Sequence, residues 1–464
     1  MMKKASVTSA DLFLQQASTS PVEEIPSEVE SLLRQDERQE LLILNHLRKT
    51  LSDCLSTLGP PSHFRPPSSN VDSDEALSIS SSDQFEFGYL WSQIQKVANG
   101  DKLHEEILER SQEIALKTQH WEGRIEGWKD GEDHLFYQTI HTVMQEGSFQ
   151  PIAEGTSGSY LLFDKYQRPC FVIKPADEST FCLHNPKHFG NPLLSQDTRV
   201  RPDIPSYQSV ERDALTSEVA RLLSLEMMTP KTVIDIVFYE GFYDLKLDQE
   251  NQQGSYGPAN ETSNKKKLCS IQSYAPHTTD LFDLLNRWSD RAIPNSVIAS
   301  LIDQNDFEAI MLLMWISYEN DGHSGNVLTY PKALNAKGQT IFGLTKIDNS
   351  LCFPEKNTGY VNTLATLPNS NRFLSSKMKQ RIASLPIQQI IDLMHKFELD
   401  SSEIAFLERA ELLHNLSQRD DLTIAQIDYR MWLLSSHQGK HLALSNLSQH
   451  ELEIAAMRQL QEVG

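Results

Sequence analysis

Two acidic residues late in the chain open the functional reading. Asp321 sits in Asn320-Asp-Gly-His-Ser-Gly-Asn326, just after an apolar run that ends at Tyr318. A carboxylate followed five residues later by an amide suits phosphoryl transfer. Asp321 can orient an accepting hydroxyl, and the amide oxygen of Asn326 can ligate a metal. Past a hairpin-like stretch comes Lys346-Ile-Asp-Asn-Ser350. Here Asp348 ends a β-type run and can hold a divalent cation between phosphates.

Three upstream features complete a set. In Glu154-Gly-Thr-Ser-Gly-Ser-Tyr160, the residues Gly155, Thr156, Ser157, Gly158 and Ser159 are small enough for backbone N–H groups to approach a phosphate. No Gly-Lys-Ser/Thr follows, so this is not a Walker A loop. One hairpin later, Lys174 ends the apolar run Phe171-Val-Ile173, where a kinase-type lysine would neutralise α- and β-phosphates. A helical carboxylate should hold that lysine. Glu218 lies at the edge of the stripe formed by Leu215, Val219, Leu222 and Leu223 and is the first choice; Glu211 is its rival. Any one of these features is ordinary. Their order along one chain is much rarer.

The elements that must position them follow from pattern. Residues 1–85 read as a flexible segment with one helix at 27–58, striped by Leu44, Leu47, Leu51, Leu55 and Leu58, then a Pro- and Ser-rich linker. Residues 86–146 read as a helical extension. Tyr160–Phe163 and Cys170–Ile173 are short strands joined by a turn, and a helix is expected at about 210–227. Thr232–Tyr239 and Leu268–Tyr274 read as two more strands around a polar, exposed insertion at 248–267. From Leu281 onward helices dominate. The expected fold class is α+β: a small β-rich lobe over 147–276, a helical lobe over 277–464, and a cleft between them.

Composition sets limits. The 464 residues carry 42 basic and 63 acidic side chains, a net charge of −21, which disfavours nucleic acid as a partner. Cys54, Cys170, Cys182, Cys269 and Cys352 form no CxxC pair, so reduced thiols in a cytoplasmic setting are expected. The longest apolar run, Ala309–Ile316, is far short of the roughly 20 residues of a membrane span. The N-terminus lacks the apolar stretch of a signal peptide. Basic clusters are scarce. Lys265-Lys-Lys267, and Lys187, His188, Arg199 and Arg201, are candidate docks for a polyanion such as an inositol phosphate or a phosphoinositide headgroup.

These motifs resemble the phosphatidylinositol 3/4-kinase-like branch of the protein kinase superfamily, and within it the type II phosphatidylinositol 4-kinases. The Ser-Ser-Gly-Ser-Tyr loop of that family is mirrored by Thr156-Ser-Gly-Ser-Tyr160. Its Phe-Lys-Pro is mirrored by Ile173-Lys-Pro175, and its Val-Pro-x-Thr by Thr229-Pro-Lys-Thr232. Its Ile-Asp-Asn-Gly-Leu-Ala-Phe-Pro is mirrored by Ile347-Asp-Asn-Ser-Leu-Cys-Phe-Pro354. The resemblance implies a two-lobed, protein-kinase-like fold that uses ATP with Mg2+ or Mn2+. It implies Asp321 as catalytic aspartate, Asn326 and Asp348 as metal ligands, and Gln272, Ser273, Tyr274 and Ala275 as the nucleotide hinge.

Three departures shape the expected substrate. Gly322 stands where the phosphoinositide kinases place an arginine. The insertion at 177–209 holds only Cys182 where the type II enzymes carry Cys-Pro-Cys-Cys, and no apolar or strongly basic loop follows Pro354. The expected activity is therefore Ser/Thr protein phosphorylation. A phosphatidylinositol 4-kinase is the alternative, and a nucleotide-binding pseudokinase the second. Some bacterial effector kinases share such a scaffold, and the Glu-rich C-terminal tail resembles their secretion signals, which would place the protein in a host cell.

Overall fold

The computed structural model describes residues 100–435, apart from 181, 183, 188–198, 202, 249–252, 259–265 and 278. The expected helix at 27–58, the linker after it and the C-terminal tail lie outside these residues.

Two helices come first, α1 (Gly100–Lys129) and α2 (His134–Glu146). A five-stranded antiparallel sheet follows, built from β1 (Ser148–Pro151), β2 (Tyr160–Phe163), β3 (Pro169–Pro175), β6 (Thr232–Phe238) and β9 (Lys266–Ser273), in the order β1-β2-β3-β9-β6. Between β3 and β6 lie the short strands β4 (Arg199–Arg201) and β5 (Ile204–Pro205), then helix α3 (Ser209–Leu222). This helix ends five residues before the expected 227. Leu223 leaves the helical register, and Ser224 turns into the left-handed region with φ of 53°. The expected exposed loop at 248–267 is also corrected. Strands β7 (Tyr243–Asp248) and β8 (Gln253–Pro258) pair as a hairpin there, and β9 begins at Lys266.

The remainder is mostly helical: α4 (Leu281–Asp290), α5 (Asn295–Leu301), α6 (Gln304–Ser317), α7 (Ser376–Ala383), α8 (Ile387–Lys396), α9 (Glu403–Ser417) and α10 (Ile424–Leu433). A small sheet of β10 (Thr279–Asp280), β11 (Val327–Leu334) and β12 (Thr340–Lys346) interrupts it. The fold is thus α+β, with a sheet-rich part and a helical part, as expected.

Helix α6 is the axis of the helical part. Asp303 caps its start, its side chain accepting the Asp306 N–H at 3.0 Å. Every residue from Asp306 to Ser317 is buried, so the helix is enclosed on all faces. Tyr318 stops it with a left-handed φ of 51°, and the chain then enters the Asp321 loop. Helix α1 braces both parts. Lys129 reaches Asp235 of β6 at 2.7 Å, Lys117 reaches Glu211 of α3 at 2.7 Å, and Arg124 donates to the Lys396 carbonyl of α8 at 2.8 Å. Cys170, Cys269 and Cys352 are free thiols.

Candidate active site

Lys174 lies on β3 opposite Ser270 of β9, so both side chains leave the same face of the sheet. Helix α3 packs on that face. Asp213 of α3 lies with its Oδ2 3.7 Å from Lys174 Nζ and accepts the Ser270 hydroxyl at 3.0 Å. The expected partners do not meet the lysine. Glu218 pairs with Arg221 one turn along α3 at 2.6 Å, and Glu211 pairs with Lys117. The carboxylate facing Lys174 from α3 is therefore Asp213, and both glutamates are corrected.

From the helical part, Asp348 meets the same ammonium, Oδ1 to Nζ, at 2.8 Å. Asp348 holds a left-handed φ of 56° just past the end of β12, which turns its side chain back toward the sheet. Its Oδ1 also accepts the Ser350 hydroxyl at 3.0 Å, and among the described residues nothing donates to its Oδ2. The three charged groups differ in exposure. The Asp213 side chain is 3% exposed, Lys174 15% and Asp348 40%, so the opening lies on the Asp348 side. Burial pushes the Asp348 carboxyl up, but the Lys174 ammonium and the Ser350 hydroxyl outweigh it and hold it at about 2. Burial, with Asp348 close by, pushes Asp213 up from the usual carboxylate range. Burial lowers Lys174, yet the two carboxylates outweigh it and leave the ammonium more firmly protonated than a free lysine.

Asp321 and Asn326 close on each other. The Asn326 side-chain N–H2 donates to the Asp321 carbonyl at 3.0 Å and to its Oδ2 at 3.2 Å. Among the described residues nothing donates to the amide oxygen of Asn326. His323, passed over in the sequence reading, puts its Nε2 3.7 Å from Asp321 Oδ2 and is half exposed. Gly322 has no room for a side chain: a Cβ there would lie 2.2 Å from the Val361 carbonyl oxygen and 2.3 Å from the Met314 methyl.

The glycine loop closes the hairpin between β1 and β2, with the Ile152 N–H donating to the Ser159 carbonyl at 2.8 Å. Gly155 takes a left-handed φ of 81°. The segment after β3 clamps this loop from behind. Gly158 N–H donates to the Glu178 carbonyl at 2.8 Å, so that donor is not free for a phosphate. Thr156 and Ser157 share the Thr180 hydroxyl at 2.8 and 3.1 Å, and Asn185 donates to the Thr156 carbonyl at 2.9 Å.

Gln272 and Ser273 end β9, and Tyr274 N–H donates to the Cys170 carbonyl at 2.8 Å. Through Ala275 the chain passes toward the helical part. The basic clusters are occupied or not described. Lys267 is buried between Asp177 at 3.0 Å and Glu178 at 2.9 Å, Lys266 pairs with Glu122, and Lys187 donates to the Glu154 carbonyl. Lys265 and His188 lie outside the described residues, as do the side chains of Arg199 and Arg201.

Among the described residues, no three His, Cys, Asp or Glu side chains gather as a metal cluster. The donors present, Asn326 Oδ1 and Asp348 Oδ2, are hard oxygens to which no group among the described residues donates. That suits Mg2+ or Mn2+ shared with substrate phosphates, since such ions bind through one or two carboxylates rather than a full protein cage. A cavity of about 420 Å³ lined by Leu223, Ser224, Lys377 and Arg381 lies elsewhere, at the end of α3, and holds none of these residues.

No family model matches the chain. Over 210 residues it is 26% identical to phosphatidylinositol 4-kinase gamma 6 of Arabidopsis thaliana, covering 44% of this chain and 30% of that protein. Phosphatidylinositol 4-kinase gamma 7 of the same plant matches at 26% over 210 residues, covering 28% of its length. The chain thus spans about a third of the length of these relatives. Among solved structures, the Rio2 kinase–ADP/Mg2+–phosphoaspartate complex from Chaetomium thermophilum matches with a TM-score of 0.23 and 10% identity, covering 71% of this chain and 77% of that one.

Proposed function

We propose that this chain is an ATP-dependent phosphotransferase that moves the γ-phosphoryl group to a hydroxyl on a protein. The observation that carries the reading is the 2.8 Å contact of Lys174 with Asp348, which brings a sheet lysine and a late aspartate to one opening with Asp213 behind them. Lys174 would neutralise the α- and β-phosphates beneath the glycine loop. Asp321, held by Asn326, would orient the attacking hydroxyl and accept its proton, with His323 beside it. Asn326 and Asp348 would hold Mg2+ or Mn2+, which when bound supplies charge neutralisation on the phosphates. Most of the rate enhancement would come from positioning and electrostatics.

A protein acceptor is favoured by the segment after Pro354. Glu355 N–H donates to the Asp203 carbonyl at 2.9 Å, Thr358 bonds the Asp203 carboxylate, and Asn357 takes Arg409 at 2.8 Å. This short polar strip is tied down, and its exposed cation, Lys356, leans on Asp203 at 3.5 Å. The names of the plant relatives favour the second reading, a phosphatidylinositol 4-kinase.

Radiolabelled ATP, offered with lipid vesicles and separately with a generic protein substrate, separates the two. Label in protein or in the chain itself is expected, and it should vanish in Lys174→Ala and Asp348→Ala. Label in lipid alone would install the second reading. Metal-dependent nucleotide binding with no transfer would mean a pseudokinase, and wild-type rates in both variants would remove kinase chemistry from this cleft.

A further inference from the structure

Beneath the two aspartates lies an ion pair that the proposed chemistry does not use. Lys346 Nζ is 2.5 Å from Glu319 Oε2, and the side chains are 1% and 0% exposed. Glu319 stands two residues before Asp321, and Lys346 two residues before Asp348. Each therefore roots one of the two loops that meet at the opening.

The pair also bonds the backbone of both loops. Glu319 Oε1 accepts the Asp321 N–H at 3.0 Å. Lys346 donates to the Asp348 carbonyl at 3.3 Å and to the Asn349 side-chain oxygen at 2.6 Å. Asn349 in turn donates its N–H to Asp213 Oδ1 at 2.8 Å and its amide to the Thr229 hydroxyl at 3.0 Å. Cys352 adds its thiol to Glu319 Oε2 at 2.9 Å. One buried couple thus links the Asp321 loop, the Asp348 turn and the helix that holds Lys174.

Two buried charges are a poor way to gain stability, because an apolar pair of similar volume is often as stable or more so. What an apolar pair cannot do is accept the Asp321 N–H and donate to the Asp348 carbonyl, the bonds that tie the two loops to this couple. We infer that Glu319 and Lys346 are positioning residues that fix the Asp321 loop against the Asp348 turn, so that Asn326 and Asp348 face one shared cation. This rests on the phosphotransferase reading and extends it to residues that touch neither nucleotide nor acceptor.

The test uses the full chain, ATP, and Mg2+ titrated from EDTA, with binding read by calorimetry and folding by thermal melting. The double variant Glu319→Met/Lys346→Met removes both charges and leaves neither orphaned. Its half-saturating Mg2+ for ATP binding should rise about tenfold, the lower end of what supporting groups around a metal usually contribute. ATP binding in EDTA, which depends on Lys174, should stay as in the wild type. Glu319→Gln keeps an acceptor for the Asp321 N–H and nearly the same shape, so it decides the matter if the double variant does not fold. Its Mg2+ requirement should rise about threefold or more. An unchanged Mg2+ requirement in a folded variant overturns the inference. So does a parallel loss of binding with and without Mg2+ that tracks a lower melting temperature. A wild-type chain whose ATP binding ignores Mg2+ would instead sink the phosphotransferase reading, and this inference with it.

Discussion

Asp213 touches both sides of the opening: one oxygen lies 3.7 Å from Lys174 Nζ, and the other accepts the N–H of Asn349 at 2.8 Å. Neighbouring Arg212 reinforces the link, donating to the carbonyls of Cys352 at 2.8 Å and of Phe353. Two consecutive residues of α3 therefore lock the sheet lysine and the turn after Asp348 into one unit. Asp213→Asn keeps the shape and removes the charge, so phosphotransfer should fall about a hundredfold, on the scale of losing one preorganised electrostatic contact. Glu218→Gln, which disturbs only the pair with Arg221, should stay within about threefold of wild type. Steady-state rates on the two variants check this, and the reverse ranking would return the role to Glu218.

The glycine loop gives a second prediction. A Cβ on Gly158 would lie 2.3 Å from Glu178 Oε2 and 2.7 Å from its Cβ. Glu178 cannot yield, because Oε2 accepts the Tyr160 hydroxyl at 2.6 Å while Oε1 takes Lys267 at 2.9 Å and the Tyr243 N–H at 3.0 Å. In Gly158→Ala the loop must move instead. Half-saturating ATP should rise roughly tenfold or more, since displacements of about an ångström near bound phosphates carry such penalties. An ATP titration showing wild-type affinity would mean that the clamp does not set the loop's place over the nucleotide.

The sequence made the end of β3 legible because its apolar run stops at a lysine, and the end of β12 because an acid follows a β-type run. It misled on α3. Its angle from an apolar stripe favours Glu218, but every residue from Val210 to Ala220 is buried, and an enclosed helix has no informative polar face. The usable signal was a row of short polar residues one turn apart. Asp213 and Ser217 face the sheet together, Ser217 accepting the Thr232 N–H at 2.9 Å. The hairpin at 243–258 was missed although Tyr243-Asp-Leu-Lys-Leu-Asp248 alternates cleanly, because Gly254 and Gly257 in its partner strand dilute the pattern. The Lys265–Lys267 run looked like a free basic patch because nothing local shows that Lys267 points inward to Asp177 and Glu178. Such pairs join residues far apart in the chain.

Gly322 stands where the resembling family carries arginine, and its surroundings explain why restoring that residue should fail. Val361 N–H donates to the Glu319 carbonyl at 2.9 Å, and Thr363 N–H to the Gly322 carbonyl at 2.8 Å. These bonds hold the 361–363 strip directly over the glycine. Gly322→Arg should destabilise the fold by about 1–3 kcal/mol, the usual range for overpacking, and should not raise activity. Thermal melting and transfer rates on the variant check both parts. A variant that melts like wild type would show that the strip moves aside without strain.

Asp428 of α10 supplies a pH prediction. Its Oδ1 accepts from Tyr360 at 2.6 Å, Asn362 at 2.7 Å and Trp315 at 2.8 Å, while its Oδ2 is buried without a donor. Burial raises this carboxyl from 3.8 to about 6, against the pull of the three donors. Between those two values the folded state binds the proton more tightly than the unfolded chain. Stability from this group is therefore greatest in acid, falls as pH rises through the window, and levels off above about 6. From about pH 5 to pH 7 the linkage amounts to about 1 kcal/mol. Asp428→Asn keeps an oxygen for the three donors and abolishes the titration. Chemical denaturation at the two pH values should show the wild type losing about 1 kcal/mol more than the variant. Equal losses in the two proteins would mean that Asp428 titrates like an ordinary surface carboxylate, and that the strip carrying Tyr360 and Asn362 does not seal it from water.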